Sequence, residues 1–414
     1  MSDARTNDEH ATDDVVLCIN AGSSSLKFAM FVASRSGPAV ATGEPRQIAT
    51  GGVERLGGDD GRAWLHGFGP PAERTGKFAD HAAALDASFA LLEAARAPTA
   101  TVVGHRVVHG GANHVAPARV DDALVTELKA LVPLAPLHMP AAIAGIQAVS
   151  ARFSELPQVA CFDTAFHRTM PDIARRLPLP DAIDREGVRR YGFHGLSYEY
   201  VMSTLGDAPP SRIVIAHLGN GSSLVAVKDG KAVDTTMGFT PAGGVMMGTR
   251  TGDLDPGVLV YLLREKNLSA DALEDLVERK SGLAAIGGVS DVKTLLTRAS
   301  SDDRARLALS MFAYSVRKAI GAFAAVLGGI DLLIFTGGIG EHAAAVRADI
   351  GAGLEHLGIR IDSRRNEGAN GDHERAGTVI SVDDSRCTVR VVATDEDLVI
   401  ARHALALVSA RRTR

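Results

Sequence analysis

The apolar positions of this chain fall into short runs separated by polar or helical stretches, and one pair of runs has a clear form. Residues 213–216 and 224–227 are apolar and flank the tip His217-Leu218-Gly219-Asn220-Gly221-Ser222-Ser223, and the second run ends at Asp229-Gly230. Two apolar runs joined by a glycine-rich turn predict a β-hairpin.

The same pattern occurs near the start of the chain. Residues 15–32 place apolar runs on both sides of Asn20-Ala21-Gly22-Ser23-Ser24-Ser25. Glycine allows close approach of the backbone, and successive N–H groups and serine hydroxyls can surround phosphate oxygens without a lysine. An ordinary tight hairpin would use the same residues only to turn. Because each half of the chain has such a hairpin, we expect a cleft between two halves.

The rest of the pattern alternates helices and buried strands, which is typical of an α/β fold. The most apolar window, 319–330, is too short to span a bilayer and is interpreted as a buried helix end that leads into a strand. Helices are predicted at 78–96, 121–131, 304–327 and 398–409, buried strands at 101–103, 159–162 and 332–335, and further strands within 34–78.

Composition narrows the class of protein. The 414 residues are 46% apolar and 22% charged, enough for two domains, and the net charge of −5 argues against nucleic acid or a membrane as a partner. Cys18, Cys161 and Cys387 are far apart, so neither a disulfide framework nor a metal site is indicated and a cytoplasmic location fits. Residues 1–14 lack the features of a signal peptide and are expected to form a disordered tail.

Several polar side chains lie where strands end or where glycine and proline shape a loop. Arg106 follows a buried strand, Asp163 ends another, His138 is bracketed by prolines, His194 lies between glycines, and Arg250 lies in the long loop 237–257. Each could have only a structural role, and the histidines could also bind metal. Arginines in such loops would suit a transferring phosphoryl group, whose oxygens need fixed positive donors.

Two nucleotide-binding patterns bear on the alternatives. No Gly-x-x-x-x-Gly-Lys-[Ser/Thr] sequence occurs, which excludes the usual P-loop. Residues 338–343 match the relaxed Gly-x-Gly-x-x-Ala pattern, with Asp362 about twenty residues further on, so an NAD-dependent dehydrogenase is an alternative. The match comes late in the chain and leaves the two hairpins unexplained.

Nine motifs, in order, resemble the acetokinase family and extend from Val15 to Ala401: INAGSSSLKF, GHRVVHGG, LAPLH, FDTAFH, RYGFHG, HLGNGSS, MGTRTGDLDPG, FTGGIGE and TDEDLVIA. The resemblance implies a two-domain α/β fold of the actin, hexokinase and Hsp70 type (ribonuclease H-like), with a duplicated βββαβαβα core and a cleft between the domains. Residues 15–164 and 396–414 would form the N-terminal domain, and 165–395 a nucleotide-binding and dimerisation domain. It also implies a homodimer and reversible transfer of the γ-phosphoryl group of ATP to acetate, giving acetyl phosphate and ADP.

The resemblance also assigns site residues by position. Asn20 and Glu396 would bind magnesium, or manganese in its place. The catalytic set would be Arg106, which holds the acetate carboxylate, with His138, Asp163, His194 and Arg250. The acetate methyl pocket would be formed by Val108, Leu137, Phe193 and Pro241. The nucleotide-binding set would be Ser23 to Ser25 and Lys27, His217, Leu218, Gly219, Asn220, Gly221, Asp291, Val292, Lys293, Gly338, Ile339, Gly340, Glu341 and His342.

The chain departs from the family pattern at a few positions, among them Met139, Lys293, His342 and Asp395. Lysine cannot stack or fork as arginine does, so Lys293 bears on nucleotide contacts. Acetate is already anionic near neutral pH, so no general base is required, and Asp163 is expected to orient an arginine or a metal-bound water. A propionate kinase with a larger acyl pocket is the nearest alternative, and a non-catalytic ATP-dependent switch of the actin or chaperone kind is another.

Overall fold

The structure, a computed structural model, describes residues 13–22, 24–34, 44–369 and 377–412. The chain divides into two compact units, which we call unit 1 (Met1–Ala165 and Asp395–Arg414) and unit 2 (Phe166–Thr394). The predicted disordered tail falls almost entirely on residues 1–12, which lie outside the described residues. Asp14 is already part of the first strand.

Unit 1 is built on a mixed sheet with the strand order β5-β4-β3-β2-β1-β6-β8-β7 in the described chain. Strands β1, β6 and β8 are parallel, while β2 to β5 form an antiparallel meander next to β1 and β7 pairs antiparallel with β8. Numbered in chain order, the strands are β1 Asp14–Ala21, β2 Ser25–Ala33, β3 Arg46–Glu54, β4 Gly61–Gly67, β5 Gly69–Gly76, β6 Val102–Val107, β7 Ala118–Arg119 and β8 Gln158–Phe162.

Helices cover this sheet because their apolar faces continue its core. Phe28 and Leu85 belong to one buried cluster, and Phe162 and Ile143 belong to another. Asp80 and Asp121 cap the first two helices, accepting hydrogen bonds from the amides of Ala83 and Leu124. The helices are α1 His81–Ala94, α2 Asp122–Ala130, α3 Met139–Arg152 and the C-terminal α15 Glu396–Arg412, which packs against β1, β6 and β8.

Unit 2 is built on a second mixed sheet, whose strand order is β11-β10-β9-β12-β14-β13 in the part of the unit that the structure describes. The predicted central hairpin is confirmed, since β9 and β10 pair antiparallel from Arg212↔Lys228 to Leu218↔Ser222. The turn Asp229-Gly230 has positive φ at both residues and leads into β11. The strands are β9 Arg212–Leu218, β10 Ser222–Lys228, β11 Lys231–Thr235, β12 Leu332–Thr336, β13 Thr378–Val379 and β14 Thr388–Val391.

The core of unit 2 lies between this sheet and one face of the long helix α11, on which Phe312, Val316 and Ile320 are fully buried. This helix ends at Gly328, which adopts the left-handed conformation, and β12 follows, as predicted for 319–330. The helices are α4 Asp172–Arg175, α5 Asp181–Arg185, α6 Gly195–Ser203, α7 Pro256–Glu265, α8 Ala270–Arg279, α9 Gly282–Gly287, α10 Val292–Arg298, α11 Asp303–Leu327, α12 Gly337–His342, α13 Ala344–Gly351 and α14 Ser363–Gly368. Short 3-10 helices lie at Val132–Leu134, Ala165–Thr169 and Glu355–Leu357.

The order of elements matches the expected core in unit 1, where β1, β2, β3, α1, β6, α3, β8 and α15 follow βββαβαβα. In unit 2, the elements β9, β10, β11, α11, β12, α13 and β14 repeat the first seven positions, and the helix after β14 is α15 of unit 1. No helix of the described segments has both the length and the apolar character needed to cross a membrane.

Three element boundaries differ from the sequence-based expectation. Strand β6 continues through Gly104 to Val107 because its two parallel neighbours pair with it, so Arg106 lies within the strand and not in a turn after it. Helix α12 begins directly after β12, where a loop was expected. Helix α15 begins at Glu396 because the Asp395 side chain accepts the amide of Leu398 at 2.9 Å.

Candidate active site

The candidate residues of unit 1 centre on a buried ion-pair network. Arg106, near the carboxyl end of β6, donates from Nη2 to Asp163 Oδ2 at 2.7 Å and from Nε to both carboxylate oxygens at 3.1 and 3.2 Å. Its Nη1 lies 3.0 Å from Glu396 Oε2 on α15. Three elements thus bring one predicted catalytic acid and one predicted metal ligand onto the same guanidinium.

This network keeps Arg106 charged. Burial alone would lower the pKa of its guanidinium, but the charges of Asp163 and Glu396 outweigh that effect and raise the pKa above its ordinary value. The contacts to the two acids use Nε and one hydrogen on each terminal nitrogen, so each terminal nitrogen keeps a second N–H. Arg106 can therefore hold a further carboxylate while it remains paired.

Three consecutive acids lie at the start of α15: Asp395 caps the helix, and Glu396 and Asp397 belong to its first turn. Asp397 is half-buried, and desolvation, followed by the charges of Glu396 and Asp395, raises its pKa to about 7, while Arg106 and Lys27 oppose the shift. The Cys18 thiol contacts the Asp397 carbonyl at 3.3 Å. The sequence analysis assigned no role to Asp397, although its position next to Glu396 could have indicated one.

The other predicted residues of unit 1 lie on the first hairpin and at the start of α3. Asn20 and Lys27 are directly opposite one another on β1 and β2, and the Gly22 amide donates to the Ser25 carbonyl at 2.8 Å across the tip. Ser23 lies outside the described residues. His138 occupies the N-cap position of α3, Val108 packs against the cluster around Phe162, and Leu137 is half-buried.

The candidate residues of unit 2 converge on the tip of the second hairpin. The rings of His194 and His217 stack with centroids 4.2 Å apart. A Cβ placed on Gly221 would lie 3.4 Å from both His194 Nε2 and Arg250 Nη1. These two predicted catalytic residues therefore direct polar nitrogens to one glycine of the hairpin tip.

Hydrogen bonds behind this tip fix both histidines. His194 Nδ1 lies 2.8 Å from Ser223 Oγ, and Ser223 also contacts the Tyr198 hydroxyl. His217 Nδ1 lies 2.8 Å from Ser197 Oγ. None of these hydroxyl partners was a predicted site residue, because the pairings join α6 and its N-cap residue to β9 and β10 and leave no local sequence signal.

Arg250 is fixed by its own loop. Its Nη1 donates to the Pro241 carbonyl at 3.2 Å, and the Gly244 amide donates to Asp253 Oδ1 at 2.7 Å, which closes the predicted glycine-rich loop on itself. Burial lowers the pKa of the Arg250 guanidinium from its ordinary value, and the charge of Glu278 opposes that shift. Pro241 and Phe193, two predicted methyl-pocket residues, are both buried.

A cavity of about 700 Å³ adjoins the hairpin tip. Its volume lies in the usual range for small-molecule sites. Its walls combine glycine backbone, apolar side chains and a few polar groups: Gly219, Asn220, Ser290, Asp291, Val292, Lys293, Leu296, Thr297, Gly338, Ile339, His342 and Ala343. Eight of the predicted nucleotide-binding residues are in this set.

Some residues predicted to bind nucleotide have structural partners instead of lining the cavity. Glu341 Oε1 accepts the amides of Gly337 at 2.8 Å and Thr394 at 3.2 Å, and burial raises its pKa. Leu218 and Gly340 are buried beneath the tip. Asp291 lines the cavity, but its carboxylate caps α10 by accepting the Thr294 amide at 2.8 Å.

One buried arginine secures α12, which forms a wall of the cavity. Arg347 donates all five of its N–H groups, to the carbonyls of Gly340, Glu341, Asn366 and Ala369 and to the Asn366 side chain, at 2.6 to 2.9 Å. Burial lowers its pKa to about 10. The chain from α12 to α14 is therefore tied together by one side chain that sequence reasoning did not single out.

The residues expected to hold a metal provide oxygen donors. Among the described residues, no group of three or more His, Cys, Asp or Glu side chains could hold a metal ion. Asn20 and Glu396 supply an amide oxygen and a carboxylate, and magnesium commonly binds one or two carboxylates together with substrate phosphates. The donor set fits that mode of binding.

The dehydrogenase alternative loses its main support in this structure. Asp362, which would contact a ribose in that case, caps α14 by accepting the Arg365 amide at 2.8 Å. The two hairpins, which that alternative left unexplained, carry or adjoin most of the candidate residues.

Comparison with known proteins defines the class. The sequence profile of the acetokinase family matches residues 15–402. An acetate kinase from Rhodopseudomonas palustris is 42% identical over 410 residues, covering 96% of this chain and all of that one. An acetate kinase from Methylocella silvestris is 44% identical over 406 residues, covering 95% and 97%.

Solved structures agree with the sequence relatives. Porphyromonas gingivalis acetate kinase superposes with a TM-score of 0.84 at 37% identity, covering 95% of this chain and 100% of that one. A propionate kinase from Francisella tularensis gives a TM-score of 0.86 at 32% identity, covering 95% and 99%. The expected α/β fold of the actin and hexokinase type is confirmed.

The chain is thus an α/β phosphotransferase. It belongs to the acetokinase family, and its activity is of the acetate kinase type.

Proposed function

We propose that this enzyme transfers the γ-phosphoryl group of ATP directly to the carboxylate of acetate, giving acetyl phosphate and ADP, and catalyses the reverse reaction. One observation carries the proposal: His194 Nε2 and Arg250 Nη1 converge on Gly221, beside a cavity of about 700 Å³. Two fixed nitrogen donors at one point suit the oxygens of a phosphoryl group in flight.

In the proposed reaction, a carboxylate oxygen of acetate attacks the γ-phosphorus, and the bond to the bridging oxygen of ADP breaks. The electron pair stays on ADP. Acetate is ionised near neutral pH, so no proton has to leave the nucleophile. Catalysis then depends on bringing two anions together and on balancing the charge of the transferring group.

Each unit has a distinct part in this proposal. Unit 2 binds ATP in the cavity below the second hairpin and supplies His194 and Arg250. Unit 1 binds acetate through the remaining N–H groups of Arg106, while Asp163 fixes that guanidinium. The proposed contacts of the acetate methyl group are Val108 and Leu137 among the residues of unit 1, and Phe193 and Pro241 among those of unit 2.

Magnesium, or manganese, would be held by Asn20 and Glu396 together with phosphate oxygens. When bound, it would supply positive charge to the polyphosphate. Asp395, Glu396 and Asp397 concentrate negative charge at this end of α15, where burial, followed by the charges of Glu396 and Asp395, raises the Asp397 pKa to about 7. This concentration of carboxylates supports a cation there.

The proposal is tested by a hydroxamate assay for acyl phosphate with acetate and MgATP. We expect acetate-dependent formation of acyl phosphate that matches the ADP released. ADP release without acyl phosphate, at a rate independent of acetate, would instead indicate an ATP-dependent switch.

Propionate is a second candidate acceptor, because the propionate kinase from Francisella tularensis has nearly the same fold. Val108, a β-branched residue, favours the smaller acid, but one methylene changes discrimination by only about 1 to 3 kcal/mol. The ratio of kcat/KM for acetate, propionate and butyrate decides between them.

We also propose a homodimer and a cytoplasmic location. Helix α7 has no buried residue within this chain, and Tyr261 is 50% exposed, while Leu307, Met311 and Tyr314 form an exposed stripe on α11. Apolar faces of this kind are typical of interfaces. Light scattering should show a dimer that Tyr314→Lys weakens. The three buried cysteine thiols support the cytoplasmic location, because they fit a reducing compartment.

A further inference from the structure

We propose that Ser223 and Tyr198 are positioning residues that determine which ring nitrogen of His194 carries the proton, so that Nε2 is a hydrogen-bond donor toward the transferring phosphoryl group. This inference rests on the proposed function. It assigns a positioning role to two hydroxyl groups that do not take part in the phosphoryl transfer.

The geometry places the two hydroxyls in series behind the histidine. Ser223 lies on β10, and its Oγ is 2.8 Å from His194 Nδ1. The same Oγ contacts the hydroxyl of Tyr198, which lies on α6. Ser223 and Tyr198 are both completely buried, so the pair is shielded from bulk water.

The surroundings hold the Tyr198 ring in place. Its centroid lies 5.8 Å from that of Phe166 and 5.7 Å from that of His167, and the His167 ring is nearly perpendicular to it. His167 Nε2 in turn lies 2.9 Å from the carbonyl of Phe193, the residue before His194. His167 therefore contacts both the Tyr198 ring and the loop that carries His194, so the same packed group holds both in position.

The chemistry of the two hydroxyls gives the direction of the hydrogen bonds. A phenol is more acidic than an aliphatic alcohol, so Tyr198 is the better donor and Ser223 Oγ the better acceptor. The single hydrogen of Ser223 is then directed to His194 Nδ1. A neutral imidazole that accepts at Nδ1 carries its proton on Nε2.

The backbone conformation of His194 is part of what orients its ring nitrogens. His194 has φ 58° and ψ 25°, a left-handed conformation that costs energy for a residue with a side chain. The loop holds the ring in that conformation with Nε2 beside Gly221 and Arg250 Nη1. With the other tautomer, Nε2 would present a lone pair to the phosphoryl oxygens and would repel them.

The test uses the full chain with Tyr198→Phe and Ser223→Ala, and Tyr200→Phe as the control, since it removes the same hydroxyl from the same helix. We expect kcat to fall about 10- to 100-fold in the first two variants, because a directed donor is lost, with KM for ATP and acetate changed less than about threefold. The control should keep its kcat.

The tautomer itself is measured by ¹⁵N NMR of the imidazole nitrogens, with His194 assigned from the spectrum of His194→Gln. We expect wild type to show Nε2 protonated and Nδ1 as an acceptor, and both test variants to show a mixture. This measurement does not depend on turnover. It therefore tests whether the two hydroxyls determine the tautomer of His194 even if no acyl phosphate is formed.

An unchanged tautomer in both test variants overturns the proposal, as does a wild-type spectrum with the proton on Nδ1. A loss of activity that arises only from raised KM values and lower thermal stability also overturns it, because that result indicates a purely structural role. Tyr198→Phe removes one oxygen and keeps the packed ring, so it keeps the test decisive if Ser223→Ala fails to fold.

Discussion

The two glycine-rich hairpins have similar sequences and the same antiparallel pairing but different neighbours. In unit 1, the tip between β1 and β2 is closed by the Gly22 amide and contacted by His81, whose Nε2 lies 2.8 Å from the Gly22 carbonyl. In unit 2, the tip between β9 and β10 is adjoined by two stacked histidines, a buried arginine and a cavity.

This difference shows that the hairpin supplies a close approach of backbone, whereas the chemistry comes from what packs against it. Under the proposed function, the acids of α15 and the paired Arg106 in unit 1 would bind a cation and a carboxylate. His194 and Arg250 in unit 2 would bind a phosphoryl group.

The strongest test of the comparison is Arg250→Ala. We expect kcat to fall by a factor on the order of 100 to 1,000, since a fixed donor at the transferring group is lost, with little change in the KM for ATP. Steady-state kinetics measure both quantities. Arg279→Ala, an exposed arginine on α8, is the control, and a near-normal kcat in Arg250→Ala would remove that residue from the transition-state role.

The corresponding change in unit 1 is Arg106→Ala, which should affect acetate binding and stability together. We expect the KM for acetate to rise at least about tenfold. The free energy of unfolding should fall by about 3 kcal/mol, because buried Asp163 loses its guanidinium partner. Urea unfolding measures the second effect, and Arg106→Ala/Asp163→Ala should recover part of it. Unfolding at the wild-type urea concentration would contradict this assignment.

A matched pair of glycine substitutions sharpens the comparison directly. Neither Gly22 nor Gly221 has a positive φ, so alanine is compatible with both backbones. A Cβ on Gly221 would lie against His194 and Arg250, whereas among the described residues one on Gly22 would meet the Ser25 side chain and carbonyl. We expect Gly221→Ala to lower kcat about tenfold and Gly22→Ala less than about threefold. Equal losses would mean that both tips contact the transferring group alike.

The last prediction lies outside the candidate site, because it concerns stability and one buried histidine in each unit. Burial lowers the pKa of His105 in unit 1 and of His167 in unit 2 from 6.5 to about 4. The unfolded chain therefore takes up protons below pH 6.5 that the folded chain does not, and stability falls as the pH falls from 6.5 to 4. Each histidine should cost about 2 kcal/mol at pH 5.

Urea unfolding at pH 7.5, 6 and 5 checks this dependence in His105→Gln and His167→Gln. Each variant should lose less stability on acidification than wild type does. His356→Gln, at an exposed position, is the control. A pH dependence unchanged in both variants would show that other groups account for the acid sensitivity.

The local pattern of apolar and turn residues was sufficient to predict much of the fold. The hairpins, α11 and β12 were all predicted, because each is encoded by apolar spacing and turn residues within a short stretch. The extension of β6 through Gly104 was not predictable, since it depends on pairing with β1 and β8, which are distant in sequence.

The site was predicted less completely, for a physical reason. Arg250 and His194 stand out in glycine-rich loops, so their residue types point to a binding site. Glu341 and Asp291 also follow glycine-rich stretches of the sequence, yet their carboxylates accept backbone amides of their own unit. Which partner a polar side chain takes depends on residues that only the folded chain brings near.

Arg347 has a further consequence for how anions reach unit 2. Its guanidinium is bonded only to neutral acceptors among the described residues, and with a pKa of about 10 it stays positive at physiological pH. A charge enclosed by protein is shielded by dissolved salt much less than one on the surface. The positive field behind α12 therefore persists at ionic strengths that would mask surface lysines, and under the proposed function it would attract a polyphosphate toward this wall of the cavity.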